Sequence, residues 1–194
     1  MFKKVINFLK NHLFDKWDYI YFKYNLKNHI CTNNCLKDFN FKFALKSDLH
    51  IIENDIYPIL TKTQKNDYND FLKIGNTDFD CVLCTYNEKI VHYLFIYKNI
   101  YKSPLSKTPL RKNNYDINDI YIGSAFTNPD YRGHWIMPES LNFVLNEYSK
   151  SSFNNAILLV YKKTPGATGF YKRFGFQQIE NAIRKPFYLN NLYK

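Results

Sequence analysis

A chain of 194 residues that is 45% hydrophobic and 19% aromatic has enough apolar surface for a sizeable core, which excludes a disordered polymer and leaves room for one domain with a modest extension. Its formal charge of +10 comes from 27 lysines and arginines against 17 acids, scattered along the chain. The scatter reads first as compositional drift in a chain also crowded with Asn, Ile, Tyr and Phe, and second as attraction to an anionic partner such as a nucleotide-linked substrate or a membrane surface. A nucleic-acid partner would need a binding motif or a clustered basic face. No apolar run reaches the ~18 residues of a spanning helix, and no small-residue cleavage site follows the basic opening Met1–Lys10, so a cytoplasmic location is expected.

Residues 1 to about 28 carry Val5, Leu9, Leu13, Trp17 and Ile20 at helical spacing with lysines between them. The spacing predicts a helical extension, residues 1–38, too short to hold its own core. Such a helix either packs on the domain formed by residues 39–194 or rests its basic face on an anionic membrane. Phe39–Leu45 alternates and predicts a strand. Ser47 and Asp48 are placed to cap a helix through Ile51, Ile52, Ile56, Ile59 and Leu60, and a second helix over 68–74 stops at Gly75. Strands Cys81–Tyr86 and Ile90–Tyr97 join at Asn87-Glu88-Lys89 as a hairpin. Residues 98–116, polar and broken by Pro104 and Pro109, are expected to form a long loop.

The cysteines offer no metal site by spacing. Cys81 and Cys84 are three apart on a strand and face opposite sides, and Cys31 and Cys35 have no partner motif. Reduced, mostly buried thiols are expected.

The chemistry lies further on. Ile120–Phe126 predicts a strand that breaks at Thr127-Asn128-Pro129-Asp130, and a helix follows with apolar residues at Ile136, Leu141, Val144, Leu145 and Tyr148. Ala156–Tyr161 is a second strand, then a short helix ends at Gly175, and a final strand or pair lies within Gln177–Leu189. This is an α/β crossover inside a mixed sheet flanked by helices. Its turn sets backbone N–H groups at a helix N-terminus beside Arg132, the outline of a phosphate or pyrophosphate site.

With that order in view, residues 119–180 resemble the GNAT superfamily of acetyl-CoA-dependent N-acetyltransferases. Thr127-Asn128-Pro129-Asp130-Tyr131-Arg132-Gly133-His134 looks like the family's strand end and pyrophosphate loop. Ala167-Thr168-Gly169-Phe170-Tyr171-Lys172-Arg173-Phe174-Gly175-Phe176 looks like its later helix. The chain departs from the family at Trp135 and Met137, where the loop has small residues, and at Thr164, where an asparagine is common.

The resemblance implies a mostly antiparallel α/β sheet with two splayed strands and acetyl-CoA lying between them. Main-chain groups of Ala125, Phe126 and Thr127 would hold the pantetheine arm and the acetyl carbonyl. The N–H groups of Arg132, Gly133, His134, Trp135, Ile136 and Met137 would cradle the pyrophosphate, with Thr164, Ala167 and Phe170 completing the cofactor side. Tyr171 is the implied acid, because a departing thiolate gains from a proton and a phenol of pKa near ~10 supplies one. Tyr121, His92 and Asp119 are candidates for the base, which must free a lone pair on the attacking amine. The wording Phe-Thr-x-Pro-Asp-Tyr-Arg-Gly over 126–133 is similar to members from bacterial surface-polysaccharide pathways, which implies a nucleotide-linked amino sugar as acceptor. A peptide or other amine, or a non-catalytic acyl-CoA-binding role with a degenerate phosphate loop, are the alternatives.

Overall fold

The computed structural model describes residues 19–32, 36–45, 48–73, 78–108, 114–162 and 164–182. Strands β1 (Tyr19–Asn25) and β2 (Asn40–Phe43) come first, then helices α1 (Leu49–Asp55) and α2 (Lys62–Leu72). Strands β3 (Phe79–Tyr86), β4 (Lys89–Tyr97) and β5 (Asp119–Thr127) follow. The chain continues through α3 (Ile136–Ser149), β6 (Asn155–Tyr161), α4 (Ala167–Arg173) and β7 (Gln177–Ala182). All seven strands form one sheet in the order β2-β3-β4-β5-β6-β1-β7. Its pairs are antiparallel except β5 with β6.

Both faces of the sheet are covered, which is why β4 is apolar almost throughout. One core lies under α1 and α2 and is rich in tyrosine, with Tyr21, Tyr68, Tyr93, Tyr97 and Tyr121. The other lies under α3 and α4 and is mainly aliphatic, with Leu94, Ile120, Ile122, Leu141 and Val144. The β3–β4 hairpin turns on Asn87 and Glu88, both at positive φ (47° and 66°), the geometry whose twist matches the flanking strands. Cys81 and Cys84 are buried in different cores and Cys31 is exposed.

Several expectations are corrected. Residues 19–28 are not helical: Tyr19–Asn25 is strand β1 and Leu26–Asn28 a 3₁₀ turn. Tyr21 enters one core while Ile20 and Phe22 enter the other, and the aromatic content of the segment favours a strand over the helical spacing of Trp17 and Ile20. Because β1 pairs with both β6 and β7, the sheet does not divide at residue 38. Residues 1–18, with Val5, Leu9, Leu13 and Trp17, lie outside the described residues.

Helix α2 begins six residues earlier than expected, at Lys62. Thr61 caps it reciprocally: its backbone N–H donates to Gln64 Oε1 (3.0 Å), and Gln64 N–H donates to Thr61 Oγ1 (3.4 Å). Asp48 does not cap α1. Its carboxylate turns back to accept from the Leu45 N–H (2.9 Å) and to pair with Lys42 (3.0 Å). The described part of the 98–116 segment is packed and not loose. It forms 3₁₀ turns at Ile100–Lys102 and Pro104–Lys107, and Ile100, Leu105 and Tyr115 are buried. No described helix is long and apolar enough to cross a membrane.

The strand break that creates a site lies between β5 and β6. They pair from Asp119–Asn155 to Ile122–Leu158 and then part, while β6 stays with β1. Along its other edge β5 follows β4 to Thr127, with Gly123 and Ser124 bulging opposite Phe95. Gly123 is required there: a Cβ would stand 2.6 Å from the Tyr97 ring. The result is a wedge, open beyond Ile122 and closed below it.

Candidate active site

At the mouth of the wedge, β5 runs into a tight turn. Asn128 donates its N–H to the Val91 carbonyl (2.9 Å), one step beyond the His92–Thr127 pair of the β4–β5 ladder, and its side chain accepts from the Asp130 N–H (3.1 Å). Pro129–Tyr131 form a 3₁₀ turn, and Arg132 Nε reaches back to the Thr127 carbonyl (3.3 Å). Gly133 (φ +87°) and Trp135 (φ +61°) then swing the backbone into α3. Its first internal hydrogen bond runs from Glu139 N–H to the Trp135 carbonyl (3.2 Å), so the N–H groups of Ile136 and Met137 at the helix head have no intrahelical partner.

Here lies a cavity of about 410 Å³, lined by Thr127, Tyr131, Arg132, Gly133, Trp135, Ile136, Met137 and Pro138. Six of the predicted cofactor residues thus meet at one surface, joined by Tyr131 and Pro138, which were not among them. A guanidinium, a hydroxyl and the positive end of a 14-residue helix are the donor set a diphosphate needs. Trp135, which replaces a small residue of the loop motif, is 70% exposed and stands on the rim without filling the cavity.

The left-handed conformation at Trp135 explains why a small residue suits that position, since a bulky side chain there is strained by ~1–2 kcal/mol. Trp135→Gly is expected to raise the unfolding free energy by ~0.5–1 kcal/mol. The check is the urea midpoint, and a lower midpoint would show that indole packing outweighs the strain.

Other predicted residues are placed elsewhere. His134 is exposed, its ring 6.0 Å from that of Phe39. Ala125 is half-buried against the aliphatic core, and Phe126 is buried in the tyrosine-rich core, stacked on Tyr93. Thr164 is exposed beyond β6, and its N–H donates to the Tyr161 carbonyl (2.9 Å). Ala167 and Phe170 are half-buried on α4, with the Phe170 ring between those of Tyr171 and Phe174.

The candidates for the base are corrected by burial. Tyr121 is 6% exposed, packed against Tyr97, and desolvation raises its pKa strongly, so it is a neutral core phenol. Asp119 sits at the closed end of the wedge, fully buried. It accepts from Lys23 Nζ (3.2 Å), the Asp116 N–H (3.2 Å) and Asn155 Nδ2 (2.6 Å), and so serves as an anchor.

His92 is also fully buried. Its Nδ1 lies 2.8 Å from Thr127 Oγ1, its Nε2 has no partner, and burial pushes its pKa down to about 3. A histidine that unfolding frees to protonate near ~6.5 makes the unfolded state the better proton binder between about 3 and ~6.5. Stability is therefore expected to fall as pH drops through that window. The His92 share is ~1.4 kcal/mol per pH unit once the unfolded imidazole is protonated. Urea midpoints from pH 7 to 5 for the native chain and His92→Gln check this, and parallel curves would contradict it.

Tyr171 is held by aromatic rings: Phe170 (5.0 Å), Phe176 (5.8 Å) and Phe22 (6.0 Å). Burial raises its pKa to about 12, so it is protonated throughout the physiological range. Gly175, at φ +94°, ends α4 behind it, with the Phe176 N–H donating to the Tyr171 carbonyl (3.0 Å). Tyr171 does not line the cavity.

One polar contact at the wedge had no signal in the spacing. Asp67, on α2, accepts from Ser124 Oγ (3.2 Å) at the bulge of β5. Partial desolvation raises the Asp67 pKa, opposed by the Ser124 hydrogen bond and reinforced by Asp70.

A seven-stranded, mostly antiparallel sheet with helices on both faces and a splayed parallel pair is the fold of the GNAT acetyltransferases. The solved structures it resembles include a GCN5-related N-acetyltransferase from Sphaerobacter thermophilus (TM-score 0.55, 12% identity, 93% of this chain and 55% of that one). An acetyltransferase of the GNAT family from Staphylococcus aureus Mu50 is similar over 73% of this chain and 86% of its own (TM-score 0.53, 16% identity). A tandem GNAT protein from the clavulanic acid biosynthesis pathway is similar over 92% of this chain and 56% of its own (TM-score 0.58, 9% identity). The chain thus spans about half to two-thirds of the longer structures it resembles. No protein-family profile matches the sequence, and no curated protein matches it.

Proposed function

We infer that this protein is an N-acetyltransferase that moves an acetyl group from acetyl-CoA to the amine of a small acceptor. The observation that carries the reading is the cavity at the head of α3, where Thr127, Arg132 and Gly133 meet at the end of a strand that has parted from its parallel neighbour. Acetyl-CoA, when bound, supplies an acetyl group activated as a thioester.

The chain's own residues then have distinct tasks. Arg132 and the N–H groups at the head of α3 hold the diphosphate, and the main chain of Ala125–Thr127 aligns the arm. Helix α2 covers the tyrosine-rich face of the sheet and α4 the aliphatic one, so acid and base approach from opposite sides. Asp67, beside the bulge, takes the proton that the ammonium must lose, and its raised pKa suits that transfer. Tyr171 donates its proton to sulfur as the C–N bond forms and the C–S bond breaks; the nitrogen gives up its second proton to solvent as the amide forms, and solvent returns one to the phenolate. With a pKa pushed to about 12 it is a weak acid, so it donates only as charge develops on sulfur.

For the acceptor, the wording of residues 126–133 and the net charge of +10 support a nucleotide-linked amino sugar. A cytoplasmic setting belongs to the same reading. The basic amphipathic pattern of residues 1–28 supports a peripheral membrane contact, of which residues 1–18 remain once 19–28 join the sheet and its following turn. The test is calorimetry with acetyl-CoA, followed by release of free thiol in the presence of amino-sugar nucleotides, diamines and peptides. Binding without thiol release on any acceptor would leave an acyl-CoA-binding protein, and absence of binding would end the reading.

A further inference from the structure

His92 is a costly residue where it stands. Its neighbours Val91 and Leu94 fill the aliphatic core with hydrocarbon, whereas a fully buried imidazole with one nitrogen unpartnered subtracts from core stability. Its hydrogen bond goes to Thr127, the residue that ends β5 and lines the cavity. Thr127 is fixed at a second point as well, because its carbonyl accepts from Arg132 Nε. Beside His92, the Val91 carbonyl holds the Asn128 N–H, so two consecutive residues of β4 set the root of the turn.

A hydroxyl has one proton and two acceptor sites, and a neutral imidazole has one donor and one acceptor nitrogen. If Nδ1 accepted from Thr127, the hydroxyl proton would be spent inside the core, and the Nε2–H would be left as a buried donor without an acceptor. If Nδ1–H donates to Oγ1 instead, the Thr127 proton is free to point into the cavity. The unpartnered Nε2 is then a bare acceptor, and buried orphan N–H groups are the rarer of the two.

We propose that His92 is a positioning residue: its Nδ1–H holds the Thr127 hydroxyl so that this hydroxyl donates to a phosphate oxygen of the diphosphate bound in the cavity. The inference rests on the acetyl-CoA reading above. Being neutral, the imidazole orients the donor and adds no charge of its own.

The experiment measures CoA affinity by calorimetry for the full-length chain and its variants, with the His92 ring nitrogens followed by ¹⁵N NMR. Thr127→Val is expected to raise Kd for CoA about tenfold, the size of one hydrogen bond to a charged oxygen. His92→Phe should raise it comparably, and the double variant should bind no worse than Thr127→Val alone, since both act through one hydroxyl. His92→Asn, which keeps a side-chain donor, should recover part of the loss. The NMR signal should show the proton on Nδ1 in the native chain. Unchanged affinity in Thr127→Val, additive losses in the double variant, or a proton on Nε2 would each overturn the proposal. Thr127 is only half-buried, so its variant serves even where His92→Phe fails to fold. A native chain that ignores CoA overturns this inference and the function together. A native chain that binds CoA with Thr127→Val unimpaired overturns the inference alone.

Discussion

Asp119→Ala is expected to lower the unfolding free energy by about 3 kcal/mol, near the lower end of what breaking a buried ion pair costs. The carboxylate is fully buried and satisfies three donors at once: Lys23 from β1, the Asp116 N–H before β5, and Asn155 from β6. Alanine would strand the Asn155 amide and the Asp116 N–H. Lys23 is 28% exposed and can turn partly to water, which keeps the loss from being larger. Asp119→Asn, which still accepts one or two of these bonds, should lose about half as much. Chemical denaturation of the three proteins at neutral pH checks the order. An alanine variant as stable as the native chain would mean that the strands at the closed end of the wedge need no polar anchor.

Tyr171→Phe is expected to lower kcat about 100-fold while leaving the Kd for acetyl-CoA unchanged, the signature of a group that acts on the leaving sulfur. Removing one oxygen from a ring held by Phe22, Phe170 and Phe176 keeps the packing intact, so thermal stability should change little. Stopped assays of thiol release, run beside calorimetry, separate the two quantities. Undiminished turnover would reduce Tyr171 to a packing residue of α4 and require another proton source.

What the sequence made legible follows periodicity and turn chemistry. The hairpin at Asn87-Glu88, the strand from Ile120 and the helix carrying Leu141, Val144 and Tyr148 are each marked by local residues whose physics does not depend on the rest of the chain. The tight turn after β5 was legible for the same reason, since Asn128-Pro129-Asp130 specifies a turn wherever it stands. Strand β1 was missed because its neighbours lie in residues 155–182, and an aromatic run with intervening lysine matches both periods until those neighbours are known. Asp67 was missed for a related reason. It reaches Ser124 across 57 positions, a pairing that no local pattern in α2 encodes. His92 reads as a candidate base in the sequence and is fully buried in the structure, because one residue in a strand does not reveal which core it enters or how deeply.

The position of β1 has a consequence for how the molecule is made. Strand β7 is joined to the sheet through β1, so the last described strand is held by the first. A nascent chain emerging from the ribosome must carry the tyrosine-rich segment 19–25 unpaired until residues 155–182 are synthesised, an unusually long wait for an exposed aromatic ribbon. Synthesis speed and chaperone supply should therefore limit the yield of soluble product more than the strength of the finished core does.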